Sequence, residues 1–82
     1  MQKSGLGLML ERFLRSYVAY YDDKKLPPQL YDRVVGEAER ALIEVILTKT
    51  NGNQLQAARL LGINRNTLHA KMKKFGLSKG EE

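Results

Sequence analysis

Residues 64–74 bring together Asn64, Arg65, Asn66, Thr67, His69, Lys71, Lys73 and Lys74 without a single acid between them. These are hydrogen-bond donors and cations, and their chemistry is that of holding an anion or reading a polar edge. A planar guanidinium such as Arg65 matches the O6 and N7 of guanine, a pairing worth ~1–3 kcal/mol of base discrimination when bidentate. Asn64 and Asn66 have the amide groups to read a base edge or to hold a phosphate, and His69 lies one helical turn beyond Arg65 on the same face. Thr67, Lys71, Lys73 and Lys74 are suited to backbone phosphates. So are Asn53 and Gln54, where a helix N-terminus offers free N–H groups and a favourable dipole.

Other chemistries find less support. Cysteine is absent, which removes disulfides, thiol nucleophiles and thiolate metal sites. His69 is the lone histidine, so no metal site is expected, and no cofactor. Glu37 and Glu39 are too close on a helix to face one another and have no nucleophile beside them, so the chain is not read as an enzyme. Tyr17, Tyr20, Tyr21 and Tyr31 could stack on single-stranded bases, but they fall at core spacing in the near-neutral part of the chain, which favours packing.

The charge distribution points the same way. Residues 1–50 hold eight Lys or Arg against seven Asp or Glu, a balance of +1, whereas residues 51–82 hold six against two, a balance of +4. Residues 51–80 contain no acid at all. Such a local excess is the footprint of a polyanion-binding surface, because each cation that neutralises a phosphate releases a condensed counterion. With 82 residues, 43% hydrophobic and 28% charged, the composition is that of a single small soluble domain. Its longest apolar runs fall far short of the ~20 residues that cross a bilayer, and no signal peptide is visible, so no membrane association and a cytoplasmic location are expected. A chain this short buries a modest fraction of its surface, which makes self-association an expectation.

Four helices with short connections would carry these residues, and no strand is predicted. Leu6, Leu10, Phe13, Leu14, Tyr17, Val18 and Tyr21 recur at the spacing of one helical face over residues 6–21. The stretch DDKKLPP breaks that pattern, with Pro28 suited to the first turn of the next helix. The second helix is predicted over residues 28–50, roughly 34 Å long at 1.5 Å per residue. It carries two apolar lines: Leu30, Val34, Ala38, Leu42, Val45 and Ile46 in one, Tyr31, Val35, Ile43 and Leu47 in the other. A helix needing cover on two sides contacts two things, its own C-terminal helices and a partner subunit. Gly36 lowers its stability by roughly 1 kcal/mol relative to Ala, either because another backbone approaches closely or as a tolerated surface glycine.

Asn51 and Gly52 then read as a C-cap and Asn53 as the N-cap of a third helix over residues 54–61, with Gln56 in capping-box position. Gly62 breaks it, Ile63 anchors the turn, and Asn64 caps a fourth helix over residues 65–75 that Gly76 closes. Two short helices joined through a glycine form the helix-turn-helix pattern, whose second helix enters the major groove. Ala57 and Ala58 are small where the helix axes must cross closely, Gly62 supplies a positive φ, and Leu61, Ile63, Leu68 and Met72 would pin both helices onto the long one.

The run GNQLQAARLLGINRNTLHAKMKKFGL, with Gly-Asn-Gln, Ala-Ala, Leu-Gly-Ile-Asn-Arg-Asn-Thr-Leu and Lys-Lys-Phe-Gly at matching spacing, resembles the helix-turn-helix of the Fis family. That family takes in the nucleoid protein Fis and NtrC-type activators of sigma-54-dependent promoters. LYDRVVGEAERALIEVIL ahead of it is similar to the long helix of the NtrC branch. The resemblance implies an all-α, four-helix, Fis-like domain with two N-terminal dimerisation helices and a C-terminal helix-turn-helix. It implies that Arg65 contacts guanine, that Asn64 lies at base edges, and that Asn53, Gln54, Thr67, Lys73 and Lys74 hold phosphates. At Leu55 and Ala70 the chain departs from Fis, which has a hydroxyl and a base-proximal lysine there, so those two contacts are not carried over.

The expected organisation is therefore a linker or cloning remnant at residues 1–5, dimerisation helices at 6–50, the helix-turn-helix at 51–77 and a flexible tail at 78–82. The dimer interface is expected at Leu10, Phe13, Leu14, Tyr17, Tyr31, Val35, Ile43 and Leu47. A two-fold dimer would set its recognition helices near one DNA turn apart, ~34 Å, and read an inverted repeat in double-stranded DNA. Two functions compete: sequence-specific transcription regulation as the DNA-binding part of an NtrC-like, two-component, sigma-54-dependent bacterial activator, and an architectural DNA-bending role of low specificity like that of Fis. The first implies receiver and ATPase domains elsewhere in the full-length protein, since no GxxxxGK[ST] loop stands in this sequence. A helical protein-interaction module that never touches DNA is the third.

Overall fold

The computed structural model describes residues 4–21 and 25–77, which form four α-helices: α1 (Gly5–Tyr21), α2 (Leu30–Lys49), α3 (Gln54–Leu61) and α4 (Arg65–Phe75). No strand occurs among the described residues, and the all-α expectation holds. None of the described helices is long and apolar enough to cross a membrane. The expected tail at residues 78–82 lies outside the described residues, as do Asp22 and Asp23 of the first connection. The chain divides into two compact units between Leu30 and Tyr31.

In the first unit, α1 starts earlier than expected. Ser4 Oγ accepts the Gly7 N–H at 2.9 Å, and the Leu8 N–H donates to the Ser4 carbonyl at 3.0 Å. A hydroxyl that satisfies an orphan N–H of the first turn is an N-cap, so Ser4 and Gly5 belong to the helix rather than to a linker. None of the residues of α1 is buried. Leu14 and Tyr17 are half-covered, but Leu6, Met9, Leu10 and Phe13 stand exposed, Phe13 at 71%. Its tyrosines pack on one another edge to face, Tyr17 on Tyr21 and Tyr20 on Tyr21, at ring separations of 5.5 and 5.3 Å.

The second unit contains the core. Ile43 from α2, Ala57 and Ala58 from α3, and Leu68 and Met72 from α4 are buried together, with Ile46, Leu47, Leu61, Ile63, Phe75 and Leu77 packed around them. Leu68 is fully buried at 0% exposure, which contributes ~2–3 kcal/mol from apolar area removed from water. The expected pinning of the last two helices onto α2 by Leu61, Ile63, Leu68 and Met72 is thus present.

Two expectations about α2 are corrected. The helix begins at Leu30, because Gln29 adopts φ 57°, a left-handed conformation that no helix continues through, so Pro28 lies outside it. Ile43 is 2% exposed and serves this chain's own core, contrary to the expected interface, while Leu47 packs beside it and stays half-buried. The reason is helical drift: at 3.6 residues per turn the eight positions from Val35 to Ile43 carry the line ~80° round the axis. What remains outward is Tyr31, Val35, Ala38, Leu42 and Val45, spaced by four, three, four and three residues. Gly36 meets nothing within 4 Å of where a Cβ would stand, so within the chain it is a tolerated glycine and not a point of close approach.

Candidate nucleic-acid interface

The chain reverses direction twice between α2 and α4, and each reversal is closed by the same local chemistry. At the end of α2, Gly52 donates its N–H to the Leu47 carbonyl at 2.8 Å and Asn51 to that of Thr48 at 3.1 Å, with Asn51 at φ 56°. These are the paired bonds of a Schellman motif, which satisfies the last carbonyls of a helix through one left-handed residue. Thr50 is buried behind this turn, its hydroxyl donating to the Ile46 carbonyl at 3.0 Å. The end of α3 repeats the arrangement: Ile63 donates to the Ala58 carbonyl at 3.1 Å across Gly62, whose φ is 74°. So does the end of α4, where Leu77 donates to the Met72 carbonyl at 2.7 Å across Gly76 at φ 71°.

The N-termini are fixed by side-chain caps. Asn53 Oδ1 accepts the Gln56 N–H at 3.0 Å, and Asn64 Oδ1 accepts the Asn66 N–H at 2.7 Å. Each cap is worth ~1 kcal/mol. Both asparagines are expected DNA contacts, and the structure gives each a capping role. With its oxygen committed to the cap, Asn64 offers its NH2 outward as a donor. It therefore matches base-edge acceptors better than the two-point pairing with adenine, which needs donor and acceptor together.

Ala57 and Ala58 of α3 are buried in the cluster that holds Leu68 and Met72 of α4. On α4 the buried line is Leu68, Met72 and the half-buried Phe75. Away from it, Asn64, Arg65, Asn66, Thr67, His69, Lys73 and Lys74 are all exposed, as is Asn53. Gln54 is half-buried at the first turn of α3. None of the ion pairs among the described residues holds Arg65, Lys73 or Lys74, and the Lys74 ammonium rests 5.4 Å from the Phe75 ring centroid, a cation–π contact. The exposed part of α4 thus carries the guanidinium, the imidazole, the amides and two ammonium groups, and no carboxylate. Leu55 and Ala70, where contacts were withheld, are also exposed and present only apolar side-chain atoms.

Lys71 is placed differently. It is half-buried and pairs with Glu39 of α2 at 2.5 Å. Sequence reasoning assigns Glu39 no role there, since the partners stand 32 positions apart. The one available signal was its register, a helical turn before Ile43 on the side of α2 that faces the core. On the opposite flank of α2, Arg40 pairs with Glu37 at 3.0 Å and Glu44 at 2.6 Å, and the Glu37 hydrogen bond, followed by the charges of both acids, raises its guanidinium pKa further. Among the described residues no cluster of His, Cys, Asp or Glu could hold a metal ion.

Residues 34–75, 42 of the 82, match the family described as bacterial regulatory protein, Fis family. The chain belongs to the Fis family. It is 49% identical over 72 residues to the DNA-binding transcriptional regulator NtrC of Azospirillum brasilense, covering 88% of this chain and 15% of that protein. A second NtrC, from Rhizobium meliloti (strain 1021), is 49% identical over 69 residues, 84% of this chain and 14% of that protein. The DNA-binding protein Fis of Buchnera aphidicola subsp. Schizaphis graminum is 36% identical over 76 residues, 93% of this chain and 77% of that protein. This Fis-family chain therefore spans about 15% of the length of its NtrC relatives and about three quarters of a Fis.

Proposed function

We propose that the chain binds double-stranded DNA sequence-specifically as a homodimer on inverted repeats, and that it is the DNA-binding domain of an NtrC-like transcriptional regulator acting on the nucleoid in the cytoplasm. The observation that carries this is the acid-free exposed face of α4, held by capped turns against α2. In the proposed complex Arg65 reads guanine, while Asn64, Asn66 and His69 lie at base edges. Asn53, Gln54, Thr67, Lys73 and Lys74 hold phosphates and set the register. The dimer reading is supported by the exposed apolar side chains Leu6, Met9, Leu10 and Phe13 of α1 and by the outward line Tyr31, Val35, Ala38, Leu42 and Val45, whose four-three spacing is the seam that two helices use to pack on one another. Receiver and ATPase domains in a longer protein follow from the NtrC likeness.

A second reading, an architectural DNA-bending protein of low specificity, is favoured by the match that extends over 77% of a Fis. Selection of bound sites from random duplexes, with sedimentation of the free protein, separates the two. A single inverted repeat bound ~10³-fold or more above random duplex, by a dimer, supports the regulator; a ratio near ten supports the architectural reading. Arg65→Ala should lower that ratio by roughly ten- to a hundredfold, the worth of one bidentate contact, and an unchanged ratio would remove Arg65 as the base reader.

A further inference from the structure

We infer that the Glu39–Lys71 ion pair positions α4 on α2 and withdraws Lys71 from the phosphate contacts, so that Glu39 acts on DNA recognition without touching DNA. The inference rests on the DNA-binding reading of α4.

Around α4 the buried line of Leu68, Met72 and Phe75 has two flanks. On the helical wheel Arg65 and His69 follow on one side and Lys71 on the other, one turn beyond Thr67, so the guanidinium and the imidazole face away from Lys71. Lys73 and Lys74 lie on the open side, opposite the buried line. Lys71 Nζ meets Glu39 Oε2 instead, with side-chain exposures of 32% and 31%. Two partly desolvated charges in contact attract more strongly than a solvated surface pair, and the pair as a whole carries no net charge toward a polyanion. Among the described ion pairs this is the one that joins two helices; the others join residues three or four apart within α1 or α2. The packed side chains Leu68 and Met72 set α4 on the core, and the ion pair adds a polar tie on one flank that biases its rotation by a small amount. A recognition helix turned by a few degrees still meets the phosphates, but its side chains no longer meet the base edges they match.

The test is a charge swap, Glu39→Lys with Lys71→Glu, compared with both single reversals. All four proteins are titrated with the selected inverted repeat and with random duplex at several salt concentrations. Each single reversal should reduce the specific-to-random ratio roughly two- to fivefold, in keeping with the breaking of a single partly exposed pair. The swap should recover the wild-type ratio to within about twofold and keep the wild-type salt slope, because neither side chain neutralises a phosphate. Were Lys71 bound to a phosphate, the swap would bind no better than Lys71→Glu, and that variant would flatten the slope by about 0.9 for each phosphate no longer neutralised; either result overturns the inference. Glu39→Gln and Lys71→Met give the same comparison should a reversal prevent folding. The urea midpoints of the four proteins form a double-mutant cycle that needs no DNA, and absence of coupling there overturns the positioning role. Failure of the wild type to bind duplex at low salt would instead remove the function proposed above while leaving the cycle readable.

Discussion

Helices α1 and α4 are opposites in a way their sequences alone do not announce. α1 is rich in large apolar side chains, yet none of its residues is buried. α4 is among the most polar segments of the chain, yet Leu68 and Met72 are buried and both of its ends are capped. Polarity therefore does not decide which helix contributes buried residues; in α4 the spacing of a few apolar positions does. The polar helix is finished by α2 and α3, whereas the apolar one presents a surface that burial would stabilise at ~25 cal/mol per Å². A second copy of the chain is the partner proposed for it.

The sharpest way to break this contrast is at Leu68. Leu68→Ala should destabilise the second unit by ~2–5 kcal/mol, the range for deleting a buried leucine. Urea denaturation followed by circular dichroism should show the drop, and duplex binding should fall with it. Phe13→Asp in α1 should behave in the reverse sense. It should convert dimers to monomers in sedimentation and weaken binding to the inverted repeat, while amides around Leu68 keep their hydrogen-exchange protection. A dimer that survives Phe13→Asp would leave the α1 surface without the role assigned to it. The smallest change is expected at Gly36: with open space around it and an ordinary helical backbone, Gly36→Ala should raise stability by up to ~1 kcal/mol. A decrease there would mean that a partner backbone comes close to that turn of α2.

The limits of α3 and α4 were legible because punctuation in that part of the chain is strong. Asn53, Gly62, Asn64 and Gly76 each cap a helix as the spacing predicts, and the alanines and leucines between them leave one way to pack two short helices. The ordering of α2 was not legible in the same way. Its two apolar lines are both real, but which residues face inward depends on angular drift along twenty positions. Thus Ile43, expected outside, lies at the centre of the core, and Leu42 and Val45, elsewhere on the wheel, are exposed. For the candidate site, exposure was legible at Arg65, Asn66, Thr67, His69, Lys73 and Lys74, where it follows from the 3.6 period, and not at Lys71 or Gln54, which are half-buried. The Lys71–Glu39 pair was not read from the sequence, because the register of Glu39 one turn before Ile43 places it on the core-facing side of α2 but does not say which cation on another helix it meets.

The connections that flank α3 have a further consequence. Between Lys49 and Gln54, and again between Leu61 and Arg65, nearly every backbone group that could swing is already bonded into a cap. Turns closed in this way tie α3 and α4 to one another, so what a side-chain contact such as Glu39–Lys71 can change is a few degrees of roll of α4. A larger change in how this surface is presented would come through α2, which carries both Ile43 of the core and Glu39.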